Sequence, residues 1–399
     1  MITEEQIDKL VEILIERVNK SNEYFLKQVG NSIREIRQLT PSQAQELVQV
    51  LKYGGNYEEI IKEISNYTDM NIKDIDTIFN SYAKKDQMFY EKFYKYRDIP
   101  FVEYSNNLAL QRQTQALSNI AMNEMYNFTR LNVLGYTIHE LDGTIKFMGL
   151  RETYNRLLDD ALLNVGQGKE TFDSAMSRII NDIGKSGLKT INYESGRNVR
   201  LDSAIRMHLK SRLRELHNEN QKIIGEEFGA DGIEISVHSN PAVDHEKVQG
   251  RQFSNIEFDN LQNGLIATDI TGKTFTLDHD GKNGYRPISE LNCYHYVFSI
   301  VLGVSQPEYS EKQLKEIIDN NNKGFEFEGK HYTMYEGTQI QRQIERSVRE
   351  QKDILTLGNA SGNLDVIDNA ERKLKWLSDK YKALNKASGL LPKAKRMKI

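Results

Sequence analysis

Four of the eight histidines fall within residues 238–295, the stretch that also contains the chain's only cysteine. A cysteine thiolate and histidine imidazoles can bind zinc in a tetrahedral site. The spacing is unusual for that purpose, because ligand pairs in standard zinc modules lie about two to four residues apart on a tight turn. Alternatively, neutral histidines donate to backbone carbonyls and the cysteine packs as a small apolar residue. The candidate zinc ligands are His238, His245, Cys293 and His295, and no other cofactor is expected.

The segment LDHDGKNGYRPISELNCYH, which begins at Leu277, raises a second possibility. It is superficially similar to an HNH-type nuclease, in which a histidine acts as general base and a following helix holds a metal ion. Either His279 or His245 would be that base. The chain becomes apolar directly after Cys293 and lacks a second cysteine, which disfavours this hypothesis. We therefore predict that the protein is not an enzyme.

Two basic stretches are candidates for contact with nucleic acid. Helical spacing places Arg206, Lys210 and Arg214 on one stripe, as contacts with successive phosphates would require. Charge runs are more often solvated faces, and no aromatic residues interleave with this one. The second stretch is the C-terminal tail, with Lys393, Lys395, Arg396 and Lys398.

The bulk composition limits the remaining classes. The net charge is −4, so any binding of DNA must come from a local patch. A single cysteine excludes a disulfide scaffold and suits a reducing compartment. No window approaches 18 unbroken apolar residues, so we expect no membrane span.

The elements that carry these side chains are mostly helices. Residues 1–140 show helical periodicity with a narrow apolar stripe and are predicted to form an elongated helical region. Within it, one helix is predicted to begin at Thr40 and Pro41 and to end at Gly54, and another to begin at Asn71. Residues 141–231 are predicted to be a helical segment that leads into the core.

That core is predicted at residues 232–335, where short alternating segments favour strands: IEISVH, KTFTLDH and FEFEGKHYT. Residues 336–399 carry apolar positions at helical spacing on both sides of GNASG (358–362), which predicts a helical hairpin followed by the basic tail. The predicted fold class is therefore α+β and predominantly helical, with a small mixed core between an N-terminal helical region and a C-terminal hairpin.

Four segments occur in an order that resembles the phage minor capsid protein 2 family, which looks related to the Mu-type head morphogenesis proteins. They are TINYESGRNVRLDSAIRMHLKSRL (190–213), VHSNPAVDHEKVQGRQFS (237–254), GYRPISELNCYHY…VLGVS (284–305) and YTMYEGTQIQRQIERSVREQK (332–352). The resemblance covers about residues 145–390. The residues that match its H…H…QG and NCxH motifs are His238, His245, Gln249, Gly250, Asn292, Cys293 and His295. Tyr294 stands where the family usually has arginine.

The resemblance implies a virion component rather than an enzyme, present in several copies at the portal vertex of the capsid and in the host cytoplasm during assembly. There it would assist head assembly, DNA packaging or delivery. The implied partners are the portal protein, the major capsid or scaffold protein, and packaged DNA. Mu-type relatives often have extra cysteines that suggest a bound metal, and this chain lacks them. Two alternatives stay open: a metal-dependent DNA-acting enzyme and a DNA-binding packaging factor.

Overall fold

A computed structural model describes residues 4–140, 142–192, 194–238, 240–277, 286–289 and 293–398. Within these ranges the helices are α1 (Glu4–Ile36), α2 (Pro41–Tyr53), α3 (Asn56–Tyr96), α4 (Leu108–Thr129), α5 (Leu150–Asn164), α6 (Lys169–Ser186), α7 (Leu201–Phe228), α8 (Asn255–Gln262), α9 (Glu311–Lys323), α10 (Met334–Ser361) and α11 (Leu364–Ser388). The strands are β1 (Leu134–His139), β2 (Ile145–Gly149), β3 (Lys189–Ile191), β4 (Asn198–Arg200), β5 (Gly232–Ile235), β6 (Gln252–Ser254), β7 (Ala267–Thr268), β8 (Thr274–Phe275), β9 (Val297–Ile300), β10 (Phe325–Phe327) and β11 (Lys330–Tyr332). The prediction of a predominantly helical α+β fold is confirmed.

The chain divides into two compact units, each built from three separate stretches of sequence. One unit comprises residues 1–11, 74–122 and 207–339, and we call it the cluster unit because it contains the histidines and the cysteine introduced above. The other comprises residues 12–73, 123–206 and 340–399, and we call it the hairpin unit because it contains most of α10 and all of α11.

The hairpin unit contains an antiparallel sheet in the order β2-β1-β3-β4. Five consecutive residues of β1 are buried, and its Tyr136 stacks on Phe25 of α1 with ring centroids 5.1 Å apart. Gly135 admits no side chain, because a Cβ there would lie 1.9 Å from the carbonyl oxygen of Met148 on β2. These four strands lie in regions predicted to be helical, so that prediction is wrong at the strands. It is correct for α5 and α6, which lie between β2 and β3.

A buried ionic network joins three parts of the hairpin unit. Asp353 of α10 accepts two hydrogen bonds from the Arg200 guanidinium, both 3.1 Å long, and one of 2.8 Å from the Asn22 amide of α1. Asp202 pairs with Arg200 at 3.3 Å and with Arg349 at 3.0 Å. Burial raises the pKa of Asp353 to about 6. Although burial opposes it, the nearby guanidinium groups lower the pKa of Asp202 to about 2.

The C-terminal helices of the hairpin unit form the predicted hairpin. Helix α10 ends at Ser361, and Asn363 caps α11 by accepting a hydrogen bond from the Val366 backbone N–H at 3.2 Å. The helices are joined by side-chain hydrogen bonds, one from the Tyr381 hydroxyl to Glu345 at 2.9 Å. The hairpin prediction is confirmed, and the observed turn lies at the end of the GNASG segment.

The cluster unit is organised around a three-stranded antiparallel sheet in the order β6-β5-β9. In the central strand, Ile233 is opposite Phe253 of β6 and Ser299 of β9. The strand predictions for 233–238, 273–279 and 325–333 correspond to β5, β8 and the β10–β11 pair. Beside the sheet lies an apolar core of Ile233, Ile235, Val248, Phe253, Phe258, Leu261, Ala267, Leu277, Ile288 and Val297.

Two helix predictions in the N-terminal region have different outcomes. Helix α2 has Thr40 as its N-cap, Pro41 in the first turn and Gly54 as its C-cap, as predicted. The predicted start at Asn71 is wrong, because Asn71 lies inside α3. Its buried amide donates to the Leu14 carbonyl of α1 at 3.1 Å and accepts from Arg17 at 3.3 Å, so it makes long-range contacts instead of capping a helix.

Candidate functional site

Two segments of the cluster unit bring the side chains of the candidate zinc site together. The first follows β5 and returns to β6, and its Gly250 donates a backbone hydrogen bond to the Ile235 carbonyl at 2.8 Å. Gly250 has a φ of 69°, and a Cβ there would lie 2.5 Å from Leu314, so the tight return requires glycine. The second segment, residues 293–296, leads into β9. It is tied to the first by the Ser236 backbone N–H, which donates to the Tyr296 carbonyl at 2.8 Å.

Cys293 lies at the centre of the resulting cluster. Its Sγ is 3.2 Å from Nδ1 of His245 and 3.2 Å from Nδ1 of His295. One potential ligand atom from each of these three residues lies within 4.8 Å of the others, and all three side chains are buried. Half-buried His238 is adjacent, with its ring centroid 4.4 Å from that of His295. We call His245, Cys293 and His295 the thiol–imidazole cluster.

A second layer of groups fixes the orientation of both imidazoles. Nε2 of His245 lies 2.8 Å from the carbonyl oxygen of Arg286, whose guanidinium is held by Asp244 through contacts of 2.8 and 3.0 Å. Nε2 of His295 lies 3.3 Å from the side-chain oxygen of Gln249. Second-layer groups of this kind decide which ring nitrogen carries the proton.

The electrostatic environment favours the neutral forms of His295 and Cys293. Burial, followed by the nearby imidazoles and guanidinium groups, lowers the pKa of His295 well below its usual value. Burial also raises the pKa of the Cys293 thiol, although backbone N–H groups that face the sulfur oppose the shift. One of these, the His295 N–H, donates to Sγ at 3.4 Å.

Of the four predicted zinc ligands, the structure brings His245, Cys293 and His295 within coordinating range of one another and places His238 beside them. Zinc binding by these residues stays a prediction at this point. The nuclease hypothesis required a helix after the cysteine, whereas residues 293–296 form no helix and lead directly into strand β9. His279, its other candidate base, lies outside the described residues.

The cluster does not line a large cavity that the described residues of the same unit form. That cavity has a volume of about 710 Å³ and is lined largely by side chains of α7 and α8, with Ser289 and Val297 at one side. None of the three cluster residues is among its lining residues. A buried sulfur away from a cavity is poorly placed to attack a substrate.

Helix α7 contributes a buried histidine that the sequence analysis did not single out. Nδ1 of His217 lies 2.9 Å from the Asp86 carboxylate of α3, and Nε2 lies 3.0 Å from the Val297 carbonyl of β9. Both ring nitrogens therefore face acceptors, and the side chain holds the strand that follows the cluster. Its helical spacing gave no signal of this role, because both partners are distant in the sequence.

The predicted basic stripe on α7 is paired with acidic residues of α1 or covered by an aromatic ring. Arg206 pairs with Glu12 at 3.1 Å, and Lys210 pairs with Asp8. Buried Arg214 lies over the ring of Tyr294, with its guanidinium carbon 4.8 Å from the ring centroid. These side chains face protein groups, so DNA contact by the stripe stays a prediction that would require the ion pairs to open.

The C-terminal tail is more accessible. Lys393, Lys395 and Lys398 are exposed, and Arg396 is half-buried. The backbone is nevertheless anchored on the hairpin unit, since the Lys393 N–H donates to the Tyr381 hydroxyl at 2.8 Å and the Lys398 carbonyl accepts from Asn19 at 3.3 Å. The tail thus presents three lysine side chains from a fixed backbone.

Comparison with known proteins gives one match. A family model described as "Phage minor capsid protein 2" matches residues 2–385. No curated protein and no solved structure matches the chain significantly. None of the helices in the described ranges combines the length and the apolar character that a membrane crossing requires.

Proposed function

Because the chain belongs to the phage minor capsid protein 2 family and is thus a structural protein of the virion, we propose that it acts at the portal vertex of the phage head. There it assists head assembly and the packaging or delivery of DNA. The observation that carries the proposal is the family match, which extends over residues 2–385 and therefore includes both compact units.

We further propose that the protein has no catalytic activity. Two features support this. The thiol–imidazole cluster is buried and does not line the neighbouring cavity. The ionic network around Asp353 is also buried, and the Asp353 carboxylate is satisfied by Arg200 and Asn22. Enzyme sites need a reacting group that substrate can reach, and these groups instead tie elements of their own unit together.

The portal protein and the major capsid or scaffold protein are the partners we propose. The test is quantitative mass spectrometry of purified heads, from wild-type phage and from phage in which an early stop codon interrupts this gene. We expect the chain in wild-type heads at a few copies for each portal ring, and we expect stop-codon heads to be misassembled or deficient in DNA. Absence of the chain from wild-type heads would contradict the proposal.

Packaged DNA is a further proposed partner, and the exposed tail lysines are the observation that favours it. Each cation that neutralises a phosphate releases condensed counterions, so the logarithm of the DNA affinity falls with the logarithm of the salt concentration by about 0.9 per contact. A triple variant with Lys393, Lys395 and Lys398 changed to alanine should reduce that slope by about 2 to 3.

The matched control removes three exposed lysines of the cluster unit, Lys312, Lys315 and Lys330. It changes the net charge by the same amount, so a general charge effect would reduce both slopes equally. Fluorescence anisotropy with a labelled duplex measures both slopes. An unchanged slope for the tail variant would contradict DNA contact through these lysines and leave the structural role at the vertex untouched.

A further inference from the structure

The hydrogen bonds around the thiol–imidazole cluster fix the position of the proton on His245. Its Nε2 lies 2.8 Å from the Arg286 carbonyl oxygen, and a carbonyl oxygen can only accept. Nε2 must therefore carry the hydrogen. In a neutral imidazole the other nitrogen is then an acceptor, and this nitrogen, Nδ1, is the atom 3.2 Å from the Cys293 sulfur.

The same reasoning applies to His295 through the amide of Gln249. The His238 backbone N–H can only donate, and it lies 3.2 Å from the Gln249 side-chain oxygen, which fixes which end of the amide faces the cluster. Nε2 of His295 is 3.3 Å from that oxygen and must also carry its hydrogen. The lone pair of His295 Nδ1 thus points to the same sulfur, again at 3.2 Å.

Two imidazole lone pairs consequently converge on one sulfur atom. A neutral thiol has a single hydrogen and can donate it to only one of them at a time. A cation between the three atoms would satisfy both nitrogens and the sulfur at once. We infer that Nδ1 of His245, Sγ of Cys293 and Nδ1 of His295 bind one zinc ion.

The distances fit this assignment. Zn–S bonds of about 2.3 Å and Zn–N bonds of about 2.05 Å at a tetrahedral angle place sulfur and nitrogen about 3.6 Å apart. The observed separations of 3.2 Å need to widen only slightly. One thiolate with imidazoles suits zinc better than magnesium or calcium, which prefer oxygen ligands. When the Zn–S bond forms, the thiol proton leaves to solvent and no redox change occurs.

The second layer already has the form that zinc sites use. Ligating histidines in zinc proteins donate their other N–H to a carbonyl or carboxylate oxygen, as His245 does to Arg286 and His295 to Gln249. The ion would join the segment after β5 to the segment before β9 and so close a loop of about 50 residues. Since the chain has one cysteine and cannot form an internal disulfide, the ion would provide a cross-link between these two segments. Coordination by His238 as a fourth ligand stays a prediction.

The inference goes beyond the proposed function and stands whether or not the protein acts at the portal vertex. The first test uses the full-length wild-type chain, purified with zinc in the medium and dialysed against zinc-free buffer. We expect about one zinc per chain by inductively coupled plasma mass spectrometry, and X-ray absorption at the zinc edge showing one sulfur with nitrogen neighbours. Zinc-free protein, or bound zinc with no sulfur neighbour, would overturn the inference. This test uses only the wild-type chain, so it does not depend on whether a variant folds.

The second test uses variants. Cys293→Ser and His245→Ala should each lower the retained zinc to less than about a tenth of the wild-type content. The matched control is His331→Ala, which removes an exposed imidazole of the same unit and should retain full zinc content. Circular dichroism checks that each variant is folded. Full zinc retention by folded Cys293→Ser would show that the ion binds elsewhere and would overturn the assignment.

Discussion

Replacement of Asp353 by alanine tests whether the buried ionic network holds the hairpin unit together. Asp353 is fully buried, and its two oxygens accept hydrogen bonds from Arg200 and Asn22. The substitution would leave the Arg200 guanidinium, whose side chain is only 9% exposed, without its closer carboxylate. An unpaired buried charge is among the most destabilising defects in a folded protein.

The expected loss of stability depends on which contacts Arg200 keeps in the variant. Removing one partner of a buried ion pair costs about 3–5 kcal/mol. Arg200 would retain its contact with Asp202 at 3.3 Å, so we expect the lower end, a loss of about 3 kcal/mol in the free energy of unfolding at pH 7. With a urea dependence of about 2 kcal/mol per molar, the unfolding midpoint would fall by about 1.5 M.

The chain's single tryptophan, Trp376, lies on α11 of the hairpin unit, so its fluorescence during urea unfolding reports on this unit. The matched control is Glu152→Ala, which breaks an exposed pair with Lys146 in the same unit. Exposed pairs contribute little, so its midpoint should stay close to that of the wild type. If Asp353→Ala shifted the midpoint no more than Glu152→Ala does, the argument that this network stabilises the unit would be refuted.

Two further predictions concern the same unit. A Cβ on Gly184 of α6 would lie 2.3 Å from the Ile354 side chain and 2.7 Å from its backbone nitrogen. Gly184→Ala should therefore lower the free energy of unfolding by about 1–3 kcal/mol in the urea assay, although alanine normally favours a helix. Ser174→Ala, at an exposed position of the same helix, is the control, and equal midpoints for the two variants would contradict a close helix contact. The pKa of Asp353 is raised to about 6 from 3.8, so the pH-dependent part of its contribution to stability is complete below about pH 4 and is lost as the pH rises through about 6. The pairing of the ionised carboxylate with Arg200, which Asp353→Ala tests at pH 7, remains above that pH. The free energy of unfolding of wild type minus that of Asp353→Asn should therefore fall by about 3 kcal/mol between these values, and a difference independent of pH would show that the carboxyl does not titrate in this window.

Elements with strong local signals could be predicted from the sequence. Helix α2 has its boundaries where Thr40, Pro41 and Gly54 predict them, because caps act within one turn of the chain. The prediction of a helix start at Asn71 failed because asparagine, although common at helix N-termini, here makes a buried hydrogen bond to α1 from inside a helix. The four strands between residues 134 and 200 were missed because they are short, and buried β1 shows no alternation. Asp142 and Gly143, where the chain turns from β1 to β2, carried a hairpin signal that could have revealed them.

The candidate site was predictable in its residue types but not in its geometry. The sequence indicated the segments that contain His245, Cys293 and His295, yet their convergence depends on the pairing of β5 with β9, which no local pattern encodes. The α7 stripe shows the same limit. Helical spacing correctly aligned its basic residues, but the acidic partners Asp8 and Glu12 lie about 200 residues earlier in the chain. Periodicity predicts which residues share a face and leaves open what covers that face.

The proposed role at the portal vertex is tested most directly by an asymmetric cryo-electron-microscopy reconstruction of that vertex in the mature head. The account predicts density beside the portal ring into which the long α10–α11 hairpin can be fitted, and loss of that density from heads made without the gene. Equal occupancy at every vertex or across the capsid lattice, or unchanged portal-vertex density without the gene, would contradict it.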